Sequence, residues 1–272
     1  MTSTINPEMK KHSRFKSCDE FEILNEIGKG GFSKVYMVKN KETKRIYAMK
    51  VAFRFKDGKD RSERTFLEIH ILKSLKHPNI IQLKGYFMDD ENIYLILEYI
   101  SGNNASKMFK TQLPSKIQVK HIIKQLVEAV KFCHEKGIIH RDIKLENIMI
   151  DDKYNIKLID FGLSVIKETE FDIFKDRLGT QRYTAPEMLE NIGYNDSVDV
   201  WAIGIVCFML LTGDYAFDGS SKQSIFRRIK EKNIHYSKYD LDRKEIKLLK
   251  SLLEKNPDKR IEIEEILNSQ FF

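Results

Sequence analysis

His140-Arg141-Asp142-Ile143-Lys144-Leu145-Glu146-Asn147 is followed, thirteen residues after Asn147, by Asp160-Phe161-Gly162. The two strings offer a carboxylate to take a nucleophile's proton and, in Asn147 and Asp160, hard oxygens suited to magnesium. They also offer Lys144, a cation two residues from that carboxylate, to neutralise a phosphate in transfer. Such chemistry needs a nucleotide, so the next question is what stands upstream.

Gly28-Lys29-Gly30-Gly31-Phe32-Ser33-Lys34-Val35 lies between two segments that read as strands. Glycines let backbone N–H groups come close to a polyphosphate. A glycine-bearing hairpin turn explains the stretch by itself about as well. It joins strand to strand, unlike a dinucleotide-binding turn, and it lacks the Gly-Lys-Ser/Thr of a P-loop. Lys50, inside the apolar run Tyr47-Ala48-Met49-Lys50, reads either as a snorkelling surface lysine or as a cation for the α- and β-phosphates, steadied by Glu68.

Short segments that alternate or run apolar, Phe21–Ile27, Lys34–Lys39, Arg45–Ala52, Ile80–Tyr86 and Asn92–Tyr99, predict five strands. One helix is predicted near residues 62–75 from Phe66, Ile69, Leu72 and Leu75. After Tyr99 helices dominate. Ser115 with Gln118 forms a capping-box signal, the stripe Val119, Ile122, Ile123, Leu126, Val130, Cys133 follows, and Gly137 ends it. A second helix, from about Ser197 to Gly213, is apolar almost all round and reads as buried. Residues 1–20 lack periodicity and are expected to form a flexible extension.

In this order, the glycine loop, Ala48-Met49-Lys50, Glu68, His140-Arg141-Asp142, Asp160-Phe161-Gly162 and Ala185-Pro186-Glu187 resemble the eukaryotic protein kinase domain. Asp199-Val200-Trp201, and Arg260 after Asn256-Pro257-Asp258-Lys259, extend the resemblance over residues 21–272. It implies an α+β, bilobal kinase fold. Residues 21–98 are the N-lobe, with a small five-stranded β lobe and one main helix, and residues 99–272 the hinge and the larger, mostly α-helical C-lobe. Lys144 in Asp-x-Lys-x-x-Asn and Gly179-Thr180 are similar to the serine/threonine type. The sequence texture resembles the calcium/calmodulin-dependent, Aurora and polo-like groups.

The resemblance also implies the site. Asp142 orients and deprotonates a Ser/Thr hydroxyl, and Lys144 neutralises the γ-phosphate. Lys50 and Glu68 hold the other phosphates of ATP, and Asn147 and Asp160 hold Mg2+. Ile27, Gly28, Gly30, Val35, Ala48 and Met149 surround the nucleotide. Leu97 gates the pocket behind it, the backbone of Glu98 and Ile100 meets the adenine edge, and Asn104 faces the ribose. Leu72, Leu83, His140 and Phe161 resemble a hydrophobic column anchored by Asp199, and Glu187 and Arg260 a buried ion pair.

Departures from the pattern are Ser33 at the third loop glycine, Gln181 after Gly-Thr, and Asp176. At the Asp176 position a phosphorylated Thr or Ser is common, paired with the arginine that Arg141 matches. An Asp176–Arg141 pair is expected to replace that phosphate in part, with Arg64 as a second cation; a solvated loop aspartate is the plainer alternative. A binding module on the same fold and a small-molecule kinase are rival readings. The complete catalytic set argues against the first and Ala185-Pro186-Glu187 against the second.

Composition bounds the rest. The chain has 272 residues, 42% hydrophobic and 32% charged, with a net charge of +7 spread along it. That spread predicts a solvated surface and no nucleic-acid partner; protein substrates are expected instead. Cys18, Cys133 and Cys207 lack metal-like spacing and point to a reducing, intracellular and cytoplasmic setting. The longest apolar run, Val200–Leu211, is too short to span a bilayer, so no membrane segment is expected.

Overall fold

In a computed structural model, residues 14–56, 58–169, 172–176 and 179–272 are described. They fall into two units. One runs through Lys76 and takes Ile81–Ser101; the other takes His77–Ile80 and Gly102–Phe272.

The first unit is built on strands β1 (Phe21–Lys29), β2 (Ser33–Asn40), β3 (Ile46–Phe53), β4 (Leu83–Met88) and β5 (Asn92–Glu98). They form an antiparallel sheet in the order β1-β2-β3-β5-β4. Side chains alternate across a sheet, so register decides which residues meet. Lys50 lies opposite Val35 and Leu95, and Ala48 opposite Met37 and Leu97, which places all six on one face. Tyr47, Met49 and Val51 occupy the other face and pack with Phe21, Val38, Phe87, Tyr94 and Ile96. Helix α1 (Ser62–Ser74) packs against β4 and β5 and buries Glu68, Ile69, Ile71 and Leu72.

Two expectations fail here. The chain is not a structureless extension through residue 20. Phe15 is 3% exposed within the aromatic cluster of the sheet, and Ser17 opens a 3-10 turn, Cys18–Glu20, by a reciprocal cap with Glu20. One buried aromatic and a cap anchor a short segment without periodicity, so pattern reading misses it. Residues 1–13 lie outside the described residues. The fourth strand also begins at Leu83 rather than Ile80, because Ile80 bridges Leu158 and Asn79 O accepts from Leu158 N at 2.8 Å. Both contacts lie within the second unit.

The second unit is mostly helical. Helix α2 (Lys116–Glu135) starts at the Ser115/Gln118 capping box and buries the predicted stripe. Gly137 follows with φ +69°, a left-handed conformation that favours glycine. Strands β6 (Ile148–Ile150) and β7 (Ile156–Leu158) form a small hairpin. Helix α3 (Pro186–Glu190) begins on proline, whose missing N–H costs nothing at that position. Helix α4 (Ser197–Thr212) is buried along nearly its whole length. A Cβ on Gly204 would come within 2.8 Å of Leu252 and Leu253, so glycine there lets the neighbouring chain approach α4 closely.

Candidate active site

In the first unit the charged residue of β3 meets the buried carboxylate of α1. Lys50 Nζ donates to both carboxylate oxygens of Glu68, at 2.7 and 2.9 Å. Their side chains are only 13% and 6% exposed, which removes the snorkelling alternative for Lys50. The glycine loop turns tightly, with Gly30 N donating to Ser33 O at 2.8 Å. A Cβ on Gly31 would meet nothing within 4 Å, and one on Gly30 would meet only Ser33, at 3.6 Å or more. Internal crowding therefore does not require these glycines. Bare backbone facing open space suits a ligand with phosphate oxygens, which fits a nucleotide.

In the second unit the catalytic string is a loop held at several points. Arg141 has φ +66° and Asp160 φ +62°, both in the sparsely populated left-handed region. The carboxylate of Asp199, at the start of α4, fixes the first of these. It accepts His140 N and Arg141 N at 2.8 Å each and lies 3.0 Å from His134 Nε2. Full burial would raise the Asp199 carboxyl, but His134 by hydrogen bond and charge, with His140, outweighs it and holds the group below its ordinary value. Phe161 is buried edge-on against His140, with ring centroids 4.7 Å apart.

This scaffold presents Asp142, which is 6% exposed. Its Oδ2 accepts from Lys144 Nζ at 2.6 Å and from Asn147 Nδ2 at 3.0 Å, and its Oδ1 accepts from the Thr180 hydroxyl at 3.4 Å. Lys144 Nζ also donates to Thr180 Oγ1 at 3.0 Å. The Asn147 amide nitrogen donates to Asp142 O at 2.9 Å, so its carbonyl oxygen is directed elsewhere and can serve as a metal ligand. Ile159 N donates to Asn147 O at 2.9 Å and brings the exposed Asp160 beside Asn147. One amide oxygen and one carboxylate fit magnesium, which keeps waters and takes phosphate oxygens alongside few protein ligands.

The remaining predicted residues fall as follows. Val35, Ala48 and Leu97 share a sheet face with Lys50, and Ile27 is 41% exposed on β1. The Glu98 carboxylate accepts Gln82 N at 2.9 Å. Met149 pairs with Asn104 across a strand bridge. Asn104 Oδ1 caps the short helix Ala105–Met108 by accepting Lys107 N at 2.9 Å, which leaves its amide as a donor. Ala185-Pro186-Glu187 leads into α3, where Glu187 and Arg260 form a two-pronged pair at 2.6 and 3.0 Å, each side chain 1% exposed or less.

Besides Asp176, Arg141 has partners that sequence reading did not supply. Its Nε donates to Leu163 O at 2.7 Å, and its Nη1 to Tyr194 OH at 2.8 Å and to Asp176 Oδ2 at 3.3 Å. Phe174 forms an antiparallel bridge with Tyr194, so the stretch that carries Asp176 is pinned to the same tyrosine. Tyr194 stands in the turn-like stretch Gly193-Tyr194-Asn195, where no periodicity marks it.

Comparison with known proteins bears on this arrangement. The Protein kinase domain family matches residues 21–272. The chain belongs to the protein kinase family. Among its relatives, Myosin light chain kinase A of Dictyostelium discoideum is 38% identical over 221 residues, 79% of this chain and 74% of that protein. Aurora kinase C of Mus musculus is 36% identical over 265 residues, 97% of this chain and 95% of that protein. CBL-interacting serine/threonine-protein kinase 8 of Arabidopsis thaliana is 34% identical over 257 residues, and the match covers 57% of it. The match spans 63% of the Saccharomyces cerevisiae Aurora kinase and 65% of the Xenopus laevis Aurora kinase A-A, so less than two thirds of each. The domain is a protein serine/threonine kinase, with ATP and Mg2+ as its cofactors. The α+β kinase fold inferred from the sequence holds.

Proposed function

We propose that the chain moves the γ-phosphate of ATP onto Ser and Thr hydroxyls of protein substrates with Asp142 as the proton acceptor. The arrangement of Asp142, Lys144, Asn147 and Thr180 carries this reading. Lys144 and Asn147 both donate to Oδ2, which holds the carboxylate in one orientation. Among the described residues Oδ1 meets only the Thr180 hydroxyl at 3.4 Å, a long contact that an incoming substrate hydroxyl can displace. Phosphoryl transfer depends on positioning and charge, because the transition state spreads negative charge over the transferred oxygens. The substrate hydroxyl gives its proton to Asp142 as its oxygen bonds to phosphorus and the bond to the ADP oxygen breaks. Lys144 and Lys50 offset the charge on the phosphates. Asn147 and Asp160 would hold magnesium, which would supply positive charge against the phosphate oxygens.

The test is incorporation of labelled phosphate into a generic protein substrate. Asp142→Ala is expected to lower turnover by about two to four orders of magnitude. Turnover near that of the unaltered protein removes Asp142 from this role.

Asp176 is read as a partial substitute for activation-loop phosphate. The support is Arg141, a cation whose side chain is 4% exposed and which has Asp176 at 3.3 Å. Asp176 itself is 66% exposed, and a carboxylate brings one charge where phosphate brings about 1.5–2. The substitute is therefore weaker than phosphate, and activity without phosphorylation is partial. An intracellular, reducing location is inferred from three unpaired cysteines. Among the described residues no helix is long and apolar enough to cross a membrane.

A further inference from the structure

We propose that Arg61 is a positioning residue for ATP, acting through a cation–π contact with Phe32 that holds the glycine loop over its nucleotide. This rests on the reading of Gly28–Ser33 as the loop that contacts phosphate. The Arg61 guanidinium carbon lies 4.4 Å from the centre of the Phe32 ring, well inside the range for attraction between a cation and an aromatic face. Phe32 is the tip of the loop, and Arg61 is the N-cap residue of α1, the helix that carries Glu68.

Among the described residues the Arg61 side chain has no hydrogen-bond or ion-pair partner that would account for its placement. Its side chain makes no capping hydrogen bond to α1. Its Nε is shielded from water and has no hydrogen-bond partner. The aromatic face is the guanidinium's partner on this side, with Phe32 itself 49% exposed at the loop tip.

Both ends of the contact are anchored to the end of β3. Phe53 N donates to Phe32 O at 3.1 Å, and Arg61 N donates to Arg54 O, one residue further on, at 2.8 Å. Between Arg54 and Arg61 the chain makes a small hairpin, Phe55–Lys56 with Lys59–Asp60. Arg54 Nη1 ties that hairpin to Asp89 O and Asp90 O at 3.1 and 3.0 Å. Asp60 Oδ1 accepts Ser62 N at 2.8 Å and fixes the start of α1. The side chains of Phe32 and Arg61 thus close a short circuit whose other members are backbone hydrogen bonds.

A loop with glycines at positions 28, 30 and 31 has many conformations open to it. If only a fraction of them accepts ATP, the apparent affinity falls by that fraction. The latch raises the fraction before ATP arrives. Once ATP is bound its phosphates hold the loop, so the latch acts on KM and barely on kcat.

The experiment is steady-state kinetics in ATP on the full chain. Arg61→Ala and Phe32→Leu are each expected to raise KM for ATP by about three- to thirtyfold, the ratio that corresponds to cation–π energies, with kcat changed less than twofold. The double variant is expected to match the larger single effect, since either change removes the same contact. Arg61→Lys and Phe32→Trp keep a cation and an aromatic face and are expected to lie closer to the unaltered protein than Arg61→Met and Phe32→Leu. A KM within twofold of the unaltered value for Arg61→Ala, or additive effects in the double variant, overturns the proposal. Gly30→Val reads the loop assignment separately. An unchanged KM there overturns the loop's role and the latch with it, whereas a raised KM there with an unchanged KM for Arg61→Ala overturns the latch alone.

Discussion

Arg141 Nη1 stands 3.3 Å from Asp176 Oδ2, but the arginine side chain is 4% exposed and the aspartate 66%. The buried partner gains most from the pair, because its charge has lost water and, among the described residues, has Leu163 O, Tyr194 OH and the Phe174 ring besides. The exposed partner is screened, so the pair is weaker than its distance suggests. Asp176→Asn is therefore expected to lower kcat by about three- to tenfold rather than abolish it, with the loss shrinking as salt is added. Phosphatase-treated protein is expected to remain active. An inactive dephosphorylated protein that recovers only on phosphorylation at Thr169, Thr180 or Thr184 removes the substitute role.

Glu187 and Arg260 present the opposite case, with both partners buried and two hydrogen bonds between them. Arg260 also donates to Ser197 O at 2.9 Å and Glu254 O at 2.9 Å, which ties α3, α4 and the C-terminal segment together. Glu187→Ala strands a buried guanidinium. The expected cost is about 3–5 kcal/mol of stability, read as a lower midpoint in urea unfolding. A loss below about 1 kcal/mol on the same assay would mean that water or another acceptor reaches Arg260.

Asp199 gives the domain an acid limit. Its carboxyl is held below the ordinary value of 3.8 in the folded state. A depressed folded value means that the unfolded chain binds the proton more readily. The stabilisation is thus complete above that ordinary value and is lost as pH falls through the lower folded one. Asp199→Asn puts an amide where two backbone N–H groups need acceptors, so the variant is expected to be less stable at pH 7. The gap between variant and unaltered protein should narrow as pH drops below about 3.8. A gap that stays constant from pH 7 to pH 3 would assign the loss to packing instead of charge.

The parts of the site that were legible in sequence are those made of rare residue types at fixed spacing on regular elements. Lys50 in an apolar strand and Glu68 inside an amphipathic helix announce a buried charge pair, because an unpaired charge at either place is costly. The Ser115–Gln118 cap and the Gly137 stop were legible because each satisfies backbone groups that a helix end leaves open. Tyr194, His134 and Arg61 were not legible. Each acts through contacts made across a long loop or between separate elements, and no local pattern encodes such contacts. Phe15 was hidden for a related reason: a single aromatic in a polar segment has no period.

That single aromatic leads to a prediction about where the folded domain begins. Phe15 meets Phe21 and Tyr47 edge-on, with ring centroids at 5.1 and 5.6 Å, on the sheet face opposite Lys50. The Glu20 carbonyl, at the end of the same segment, accepts Lys41 N at 2.8 Å and anchors it to the far end of β2. Removing the ring leaves a cavity lined by Phe21, Tyr47 and their neighbours, and a phenylalanine-to-alanine change of this kind costs about 3–5 kcal/mol when the site cannot collapse. Cys18 and Tyr36 pack against the cluster but are only partly buried, so the cavity can close in part and Phe15→Ala is expected at the lower end of that range. A chain beginning at Phe21 is expected to melt at a lower temperature than the full chain. It should keep its kcat at temperatures well below melting, because Phe15 packs on the face away from Lys50. An unchanged melting temperature for both variants would show that the sheet does not depend on the segment, and would place the start of the folded domain at Phe21.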